Sequence, residues 1–375
     1  MAAASETVQS IAKLTPLAEV LALIDAEVRP VTPRAVDVAA AMGRILAVDA
    51  AASARPSAPV ALIDGWAVSA DATFDAGGYA PAPLPDVPHR VEVGQAMPPN
   101  ADSVAMLDAV RVTQGRAEAV AAVTPGDGVL QAGGDCDPEM PLRRLGERLR
   151  AVDLAALAAA GVARVTVREP RVRVVALRGS AIIAAAARLI AGDIERRGGG
   201  ARLDEAGRDF GAVLASDSFD LLVAIGGTGS GRNDTSVQRL AQDGRLAVHG
   251  IAIAPGETAA LGFVDKRPVL LLPGRLDAAL AVWLTAGRRL LDRLAATNAV
   301  KEHGRAESLP LARKVVSTVG IAEVVPVRRT ANGVEPLASK YLPFSALARS
   351  DGWILVPPDS EGYSAGAPVW VRPWP

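Results

Sequence analysis

Residues 223–234 read Val-Ala-Ile-Gly-Gly-Thr-Gly-Ser-Gly-Arg-Asn-Asp, and this stretch decides how the chain is interpreted. The apolar residues up to Ile225 predict a buried strand, and the pattern from Thr235 onward predicts the start of a helix. Glycine permits positive φ angles and lets a ligand approach the backbone closely. A glycine-rich loop between a strand and a helix presents backbone N–H groups, so it is typical of a seat for a phosphate-like anion. Asp234 lies at the entrance to this anion-binding site, where a carboxylate can hold a metal or a polar group.

Strands and helices alternate on both sides of this loop. Continuous apolar runs predict strands, and helical spacing predicts helices. The predicted strands are 172–177, 221–225, 247–253 and 269–272, and the predicted helices are 181–197, 235–242 and 276–294. This alternation is typical of a mostly parallel sheet that helices cover on both faces. Ligands of such sheets bind beyond the carboxyl ends of the strands, where residues 226–234 and 273–275 both lie. We therefore predict an α/β domain at 170–299.

The rest of the chain predicts three further units. Short β-like pieces between proline-rich stretches indicate a β-rich insert at 53–140. It interrupts a helical and linker unit formed by 1–52 plus 141–169. The first predicted helix of this unit has Thr15 as its N-cap and Pro16 at its first position, and the second, at 152–160, has Gly161 as its C-cap. Alternating segments at 315–327 and 353–371 predict a small C-terminal β domain at 300–375.

The composition excludes several classes of protein. A chain of 375 residues is too long for one ordinary core, and its net charge of −1 gives no electrostatic footprint for nucleic acid or an anionic membrane. The single cysteine, Cys136, cannot form an internal disulfide and favours a cytoplasmic location. The three histidines are scattered, which argues against a histidine-based zinc site, and no apolar run approaches the length of a membrane span.

Three stretches of the predicted insert resemble motifs of one known family. They are Ile63-Asp-Gly-Trp-Ala-Val68, Met97-Pro-Pro-Asn-Ala-Asp-Ser-Val104 and Gly133-Gly-Asp-Cys136. They are similar to Met-Asp-Gly-Tyr-Ala-Val, Pro-x-Gly-Ala-Asp-Ala-Val and Gly-Glu-Asp-Ile of the molybdopterin molybdenumtransferase (molybdenum insertase) family, which includes the E domain of gephyrin.

The resemblance continues through the α/β domain. Residues 154–170 resemble the helix and turn that lead into it, and residues 223–234 resemble the family's Gly-Gly-x-Ser-x-Gly-Asp-Tyr-Asp loop. Pro255-Gly256 and Leu272-Pro-Gly274 resemble its Lys-Pro-Gly-Lys and Leu-Pro-Gly-Asn-Pro motifs. Because the motifs occur in the family's order over nearly the whole length, the chain is identified as a member.

This resemblance implies a fold and a reaction. The family fold combines an elongated helical domain carrying an inserted β domain, a molybdopterin-binding α/β domain and a C-terminal β barrel. Its members combine adenylylated molybdopterin with molybdate in a transfer that uses a divalent cation such as Mg²⁺. They are usually homodimers in which the partner's insert completes the site. The resemblance also implies contact with a molybdoenzyme or with another molybdopterin biosynthesis protein.

Candidate site residues follow in part from the resemblance and in part from the arginines at the strand ends. The resemblance places Asp64, Asp135 and Asp234 as the catalytic carboxylates, with Asp234 as the metal ligand. The predicted molybdopterin-binding residues lie on the loops at the strand ends and are Arg178, Gly226, Gly227, Thr228, Gly229, Ser230, Gly231, Arg232, Pro273, Gly274 and Arg275.

Several positions depart from the family pattern. Arg178-Gly-Ser-Ala181 stands where the family has Thr-Gly-Asp-Glu. In the loop at 226–234, called the glycine loop below, Arg232 replaces the family's first aspartate. Hard cations need clustered carboxylate oxygens, so these changes argue against hydrolysis by the usual magnesium route. The guanidinium groups of Arg178, Arg232 and Arg275 are suited to phosphate or another oxyanion instead.

Three functions stay open from the sequence. The first is molybdate insertion that uses Asp64, Asp135 and Asp234. The second is a catalytically degenerate carrier or scaffold for molybdopterin. The third is adenylyl transfer, because Gly226-Gly-Thr-Gly229 followed by Asp234 is similar to the Gly-Gly-Thr-Gly and Arg-Asp-x-Thr of the molybdopterin adenylyltransferases. Simpler structural roles also stay open: Asp234 as a helix cap, Asp64-Gly65 as a turn and 226–231 as a plain connection.

Overall fold

The computed structural model describes residues 9–204, 206–297 and 307–375. The predicted boundary at 299/300 and the first eight positions of the predicted helical unit lie outside these residues. The described α-helices are α1 Leu17–Glu27, α2 Ala151–Ala159, α3 Ala181–Arg196, α4 Phe210–Leu214, α5 Ser236–Asp243, α6 Leu276–Val282, α7 Arg288–Ala295 and α8 Phe344–Arg349.

The strands are short and are distributed over the whole chain. In chain order they are β1 Thr15–Pro16, β2 Arg34–Asp37, β3 Ile45–Leu46, β4 Val60–Ala61, β5 Gly65–Val68, β6 Ala82–Pro83, β7 His89–Val91, β8 Ser103–Ala105, β9 Val110–Thr113, β10 Arg116–Ala119, β11 Val129–Leu130, β12 Arg164–Arg168, β13 Arg171–Ala176, β14 Gly200–Asp204, β15 Leu221–Ile225, β16 Arg245–His249, β17 Ile251–Ala254, β18 Ala260–Val264, β19 Arg267–Leu272, β20 Glu307–Pro310, β21 Val315–Val316, β22 Ala322–Thr330, β23 Gly333–Pro336, β24 Gly352–Val356, β25 Gly362–Tyr363 and β26 Pro368–Val371.

A six-stranded sheet forms the centre of the α/β region. Its strand order is β14-β13-β15-β19-β18-β16. The first four strands pair in parallel, and β18 pairs antiparallel with both of its neighbours, β19 and β16. Successive residues of a strand face opposite sides, so Val174 packs into one core cluster and Val175 into the other. Burial on both faces explains why the strands have continuous apolar sequences. The predicted mostly parallel α/β sheet is confirmed.

The predicted strand at 247–253 is wrong as a single element. Gly250 has a φ of 92° and separates β16 from β17. The strand β16 pairs with β18 at the edge of the six-stranded sheet, whereas β17 lies in a second sheet of order β1-β17-β22-β23, in which β24 also pairs with β22. This second sheet connects the α/β region with the C-terminal region.

Two helix predictions also change in detail. Thr15-Pro16 was expected to cap the first helix, but Thr15 lies in the short strand β1, whose register pairs it with Ile251 of β17. The long helix predicted at 276–294 is present, with a π-helical turn at Trp283–Gly287 between α6 and α7. The indole of Trp283 is fully buried there and donates to the carboxylate of Asp193 at 2.7 Å.

The N-terminal region contains less helix than predicted. Strands β2, β12 and β3 form a sheet that packs with α2 around Leu149 and Leu157, whereas α1 packs on the core of the α/β region through Leu17, Val20 and Ile24. The expected elongated helical domain is therefore not confirmed in that form. Small sheets β7-β5-β8, β6-β10-β9 and β11-β4 form the β-rich insert.

The C-terminal region is a β unit with a buried apolar centre. Leu311, Val325, Val327, Ile354 and Val371 belong to one core cluster. Its strands form the second sheet described above and the separate pairs β20-β26 and β21-β25, and over residues 307–375 these pairings do not close into a barrel. The expected C-terminal β barrel is therefore not confirmed. In the described parts of the chain, no helix combines the length and apolarity that crossing a membrane requires.

Candidate functional site

Three loops meet at the carboxyl ends of β13, β15 and β19. The amide of Leu177 donates to the carbonyl of Ile225 at 3.1 Å, and the amide of Gly226 donates to the carbonyl of Leu272 at 2.8 Å. The residues after these three parallel strands therefore lie side by side, as the sequence predicts. They are residues 177–180, 226–235 and 273–275.

The glycine loop turns back sharply as it leaves β15. Gly226 and Gly227 have φ angles of 103° and 74°, which favour glycine over any other residue. The carbonyl of Gly227 accepts hydrogen bonds from the hydroxyl of Ser236 at 2.7 Å and from its amide at 3.2 Å. Thr228 is buried and its hydroxyl lies 3.0 Å from that of Thr258, whereas Ser230 and its neighbours at the loop tip are exposed.

Asp234 faces back across its own loop. One carboxylate oxygen accepts from the amide of Gly231 at 3.2 Å, and the other accepts from the guanidinium of Arg178 at 2.5 Å. The side chain of Asp234 is 16% exposed and that of Arg178 is 45% exposed. From the sequence, Asp234 is expected to hold a metal and Arg178 a phosphate, but the structure pairs the two residues with each other.

The first turn of α5 is capped from the other end of the chain. The side-chain oxygen of Gln9 accepts from the amides of Val237 and Gln238 at 3.0 and 3.2 Å. Helix α5 has no side-chain cap from Thr235, and the carboxylate of Asp234 binds Gly231 and Arg178. The simple alternative that Asp234 caps α5 is therefore wrong. Two of the N–H groups expected to meet an anion are already hydrogen bonded to Gln9.

Arg275 extends the site toward the C-terminal region. Its guanidinium donates to both carboxylate oxygens of Asp277, at 3.1 and 2.5 Å, and lies 5.0 Å from the ring centre of Tyr341. The hydrogen bonds to Asp277 raise the pKa of Arg275 above its ordinary value, although partial burial opposes the shift. Asp277 is buried and also accepts from the amide of Leu342 at 3.1 Å, which fixes the C-terminal region against the strand ends.

A buried carboxylate supports the turn that brings Tyr341 to Arg275. Glu323 is 1% exposed and accepts hydrogen bonds from the hydroxyls of Ser317 and Ser339 and from the amide of Lys340, at 2.6 to 2.8 Å. Sequence reasoning missed these residues and Gln9. Their contacts join segments that are far apart in sequence, and no local motif marks them.

Asp64 and Asp135 lie in loops of the insert, whereas Asp234 lies in the loop after β15. Asp64 is exposed and accepts from the amide of Val93 at 2.9 Å. Asp135 is also exposed, and its amide donates to the carbonyl of Arg55 at 2.9 Å. The alternative that Asp64-Gly65 is a turn is wrong for Gly65, which begins strand β5. Within one chain, the structure does not bring the three predicted carboxylates together.

The other predicted ligand residues divide by exposure. Pro273 is buried, Gly274 and Gly229 are partly buried, and Gly231 and Arg232 are exposed. Arg232, Arg178 and Arg275 thus lie on the three loops of one edge, but Arg178 and Arg275 each bind a carboxylate.

The residues of one chain do not fit a magnesium ion. Within 9–204, 206–297 and 307–375, no three or more His, Cys, Asp or Glu residues form a group that could hold a metal. Mg²⁺ is usually bound through carboxylates together with substrate phosphates. Asp234 is the only carboxylate of residues 226–235, and it is already paired with the guanidinium of Arg178.

A groove of about 1220 Å³ lies at the opposite end of the sheet. Arg171, Asp220 and Arg267 line it, and all three stand at the amino ends of parallel strands. Arg171 pairs with Asp220 there, and Arg245 pairs with Glu27. Because ligands of such sheets bind at the carboxyl ends, the loops that meet there are the better candidate site despite the size of this groove.

Comparisons with known proteins assign this chain to a family. A family model described as the MoeA N-terminal region (domain I and II) matches residues 15–161, and one described as the MoeA C-terminal region (domain IV) matches residues 308–374. The two matches together span more than half of the chain. The chain belongs to the MoeA family of molybdopterin molybdenumtransferases.

Individual relatives agree over nearly the full length. A protein of Methanocaldococcus jannaschii named for molybdopterin biosynthesis is 26% identical over 90% of this chain and 91% of its own. The crystal structure of a molybdopterin biosynthesis MoeA protein from Pyrococcus horikosii superposes with a TM-score of 0.78 at 24% identity, over 97% of this chain and all of that one. A molybdenum cofactor biosynthesis protein from Pyrococcus furiosus gives 0.60 at 20% identity, over 96% of this chain and 99% of that one. Through its membership of the MoeA family, this chain is a molybdenum cofactor biosynthesis protein.

Proposed function

We propose that this protein binds molybdopterin or its adenylate at the carboxyl edge of the six-stranded sheet and acts as a catalytically degenerate carrier. The ion pair between Arg178 and Asp234 is the observation that supports a carrier over a transferase. A carboxylate held by a guanidinium is a poor ligand for a hard cation, because the arginine supplies the positive charge that the metal would bring.

The charge of the edge favours an anionic ligand. Its loops carry Arg178, Arg232 and Arg275, against Asp234 and the buried Asp277. With two of the arginines paired, the exposed Arg232 at the loop tip is the guanidinium that we expect to meet a phosphate first. The exposed backbone at Ser230 and Gly231 lies beside it and allows close approach.

Molybdate insertion is the second candidate, and the exposure of Asp64 and Asp135 supports it. Both carboxylates face solvent on the insert. In a homodimer, the insert of a partner could bring them to this edge and supply the missing oxygen ligands for Mg²⁺ with molybdate as substrate. The full-length similarity to MoeA proteins is consistent with this arrangement.

Adenylyl transfer is less well supported than either. It needs Thr228 to face a nucleotide, but this residue is buried and its hydroxyl lies against that of Thr258. The contact of Gln9 with the loop carbonyls further restricts access from the inner side.

A paired assay tests the three functions. The protein is mixed with adenylylated molybdopterin, magnesium and molybdate, and AMP release is followed beside a binding titration. The carrier proposal predicts saturable binding without AMP release. AMP release that disappears in an Asp64→Ala, Asp135→Ala double variant would establish insertion with the insert carboxylates. In a separate mixture of molybdopterin, ATP and magnesium, formation of the adenylate with release of pyrophosphate would establish adenylyl transfer. Absence of any binding would overturn all three functions.

A further inference from the structure

Gln9 makes four hydrogen bonds to the candidate site with a single carboxamide. Its amide nitrogen donates to the carbonyls of Gly227 and Gly229, at 3.1 and 2.9 Å, and its oxygen accepts from the amides of Val237 and Gln238. The residue is 6% exposed. It lies 218 positions from Gly227 in the sequence, so the contact is a tertiary one.

The segment that carries Gln9 is held at its other end. The amide of Thr15 donates to the carbonyl of Gly250 at 2.9 Å. Thr15 also begins β1, which pairs with β17. Ile11 and Leu14 lie so close to Gly250 that a Cβ atom at that glycine would stand 2.5 and 3.2 Å from their side chains. Residues 9–16 therefore cross the α/β region from the glycine loop to β17 and have contacts at both ends.

The hydrogen bonds define what kind of group this inner position accepts. The two carbonyl oxygens accept from a donor and the two amides need an acceptor, so a primary carboxamide matches all four groups, although the carbonyl of Gly227 also accepts from Ser236. An oxyanion would satisfy the two amides but would place negative charge against the carbonyls of Gly227 and Gly229. The inner side of the glycine loop is thus built for the chain's own amide and not for a phosphate.

We propose that Gln9 is a positioning residue that clamps the glycine loop to the start of α5 and leaves only the outer side of the loop for a ligand. The clamp joins the loop carbonyls to the helix amides through one rigid group. It sets the direction in which Ser230, Gly231 and Arg232 project. Where it concerns ligand affinity, this inference rests on the proposed binding function, but the clamp itself does not.

Three substitutions separate a clamp from a simple helix cap. Gln9→Met keeps the length of the side chain and removes all four hydrogen bonds. Gln9→Glu keeps an acceptor for Val237 and Gln238 next to the favourable end of the helix dipole, but it cannot donate to the two carbonyls. Gln95→Ala is the matched control, because the carboxamide of Gln95 accepts from the amide of Glu92 within the insert.

Amide hydrogen exchange of the intact protein tests the clamp in the absence of any ligand. The amides of Gly231 and Ser236 report on the loop, and those of Val237 and Gln238 report on the helix start. We expect Gln9→Met to accelerate exchange at both by about tenfold or more. We expect Gln9→Glu to accelerate the loop amides to a similar extent and to spare the helix start. Gln95→Ala should leave both unchanged.

A binding titration measures the affinity for molybdopterin, which the loss of a simple helix cap would not change. Both Gln9 variants should bind about tenfold more weakly, with a melting temperature close to that of the parent for Gln9→Glu. If Gln9→Glu exchanges and binds like the parent protein, Gln9 is only a cap of α5 and the clamp is wrong. If Gln9→Met exchanges like the parent, Gln9 has neither role. If the parent protein fails to bind molybdopterin, the binding function fails, and the exchange data still decide the clamp.

Discussion

Arg178 and Asp234 form an ion pair across the carboxyl edge of the sheet, with 2.5 Å between the guanidinium nitrogen and the carboxylate oxygen. Arg178 comes from the loop after β13, and Asp234 comes from the loop after β15. The pair therefore ties together two loops that the parallel strands place side by side. It also gives the glycine loop a fixed shape through the second bond of Asp234, to the amide of Gly231.

The first prediction concerns Asp234→Ala. We expect molybdopterin to bind about tenfold more weakly, because the loop loses its bonds to Arg178 and to the amide of Gly231. The free energy of unfolding should fall by less than about 1 kcal/mol, since the arginine is nearly half exposed and Gln9 caps the helix. A binding titration and chemical denaturation measure the two effects.

Asp243→Ala is the control for this prediction, because Asp243 pairs with Arg239 on the surface of the same region. It should change neither quantity appreciably. A large loss of stability with unchanged affinity in Asp234→Ala would show that the residue has only a structural role.

The second prediction concerns Arg275→Ala. Removal of the guanidinium leaves the buried carboxylate of Asp277 with the amide of Leu342 as its remaining hydrogen-bond donor in the described structure. Breaking a buried pair costs several kcal/mol, but Arg275 is half exposed, so we expect a loss of about 1–3 kcal/mol in chemical denaturation.

The double variant Arg275→Ala, Asp277→Asn tests the cause. It removes the uncompensated charge and keeps an oxygen for Leu342, so it should recover much of the lost stability. If the double variant is as unstable as the single one, the contact of Arg275 with the ring of Tyr341 accounts for the cost instead.

The sequence predicts the central sheet and its loops well for a physical reason. Strands buried on both faces have continuous apolar sequences, and parallel strands bring their carboxyl ends to one edge. The meeting of the loops at 177–180, 226–235 and 273–275 follows from these two facts. Local patterns were therefore sufficient to find the candidate site.

The same patterns could not predict which partner each residue has. One apolar run contains both β16 and β17, but the turn at Gly250 sends them to different sheets. Gln9 caps a helix far along the chain, and Arg178 neutralises the carboxylate that was expected to bind a metal. These contacts depend on tertiary packing, which the spacing of apolar residues does not encode.

The third prediction concerns the acid stability contributed by Asp193. Burial alone would raise the pKa of this carboxyl, but the hydrogen bonds and charge of Arg288 and the indole N–H of Trp283 outweigh it and hold the pKa below its ordinary value. A carboxyl with a depressed folded-state pKa stabilises the protein above its unfolded pKa of about 4. This contribution is lost as the pH falls through the folded-state value.

Asp193→Asn should therefore lower the free energy of unfolding by about 1–3 kcal/mol at neutral pH, where it leaves Arg288 partly buried without its counter-charge. The difference from the parent should shrink as the pH is lowered below about 4. Denaturant titrations over pH measure this, with the exposed Asp37→Asn as control. A difference that is constant with pH would show that packing, and not charge, is lost.

The fourth prediction concerns Gly65, which follows the candidate carboxylate Asp64. A Cβ atom at Gly65 would lie 2.2 Å from the carbonyl oxygen of Ala105 and 2.7 Å from the side chain of Val104, on the neighbouring strand β8. Backbone cannot move aside as a flexible side chain can, so the strands would have to separate.

We expect Gly65→Ala to destabilise the insert by about 1–3 kcal/mol and to accelerate hydrogen exchange in β5 and β8. Gly78→Ala is the matched control in the same insert, because no atom lies within 4 Å of a Cβ atom added there. If both variants exchange like the parent, strand packing does not require glycine at position 65, and a role beside Asp64 becomes the better explanation. If only Gly65→Ala changes, the glycine of this motif serves the fold of the insert, and no further role beside Asp64 is needed to explain it.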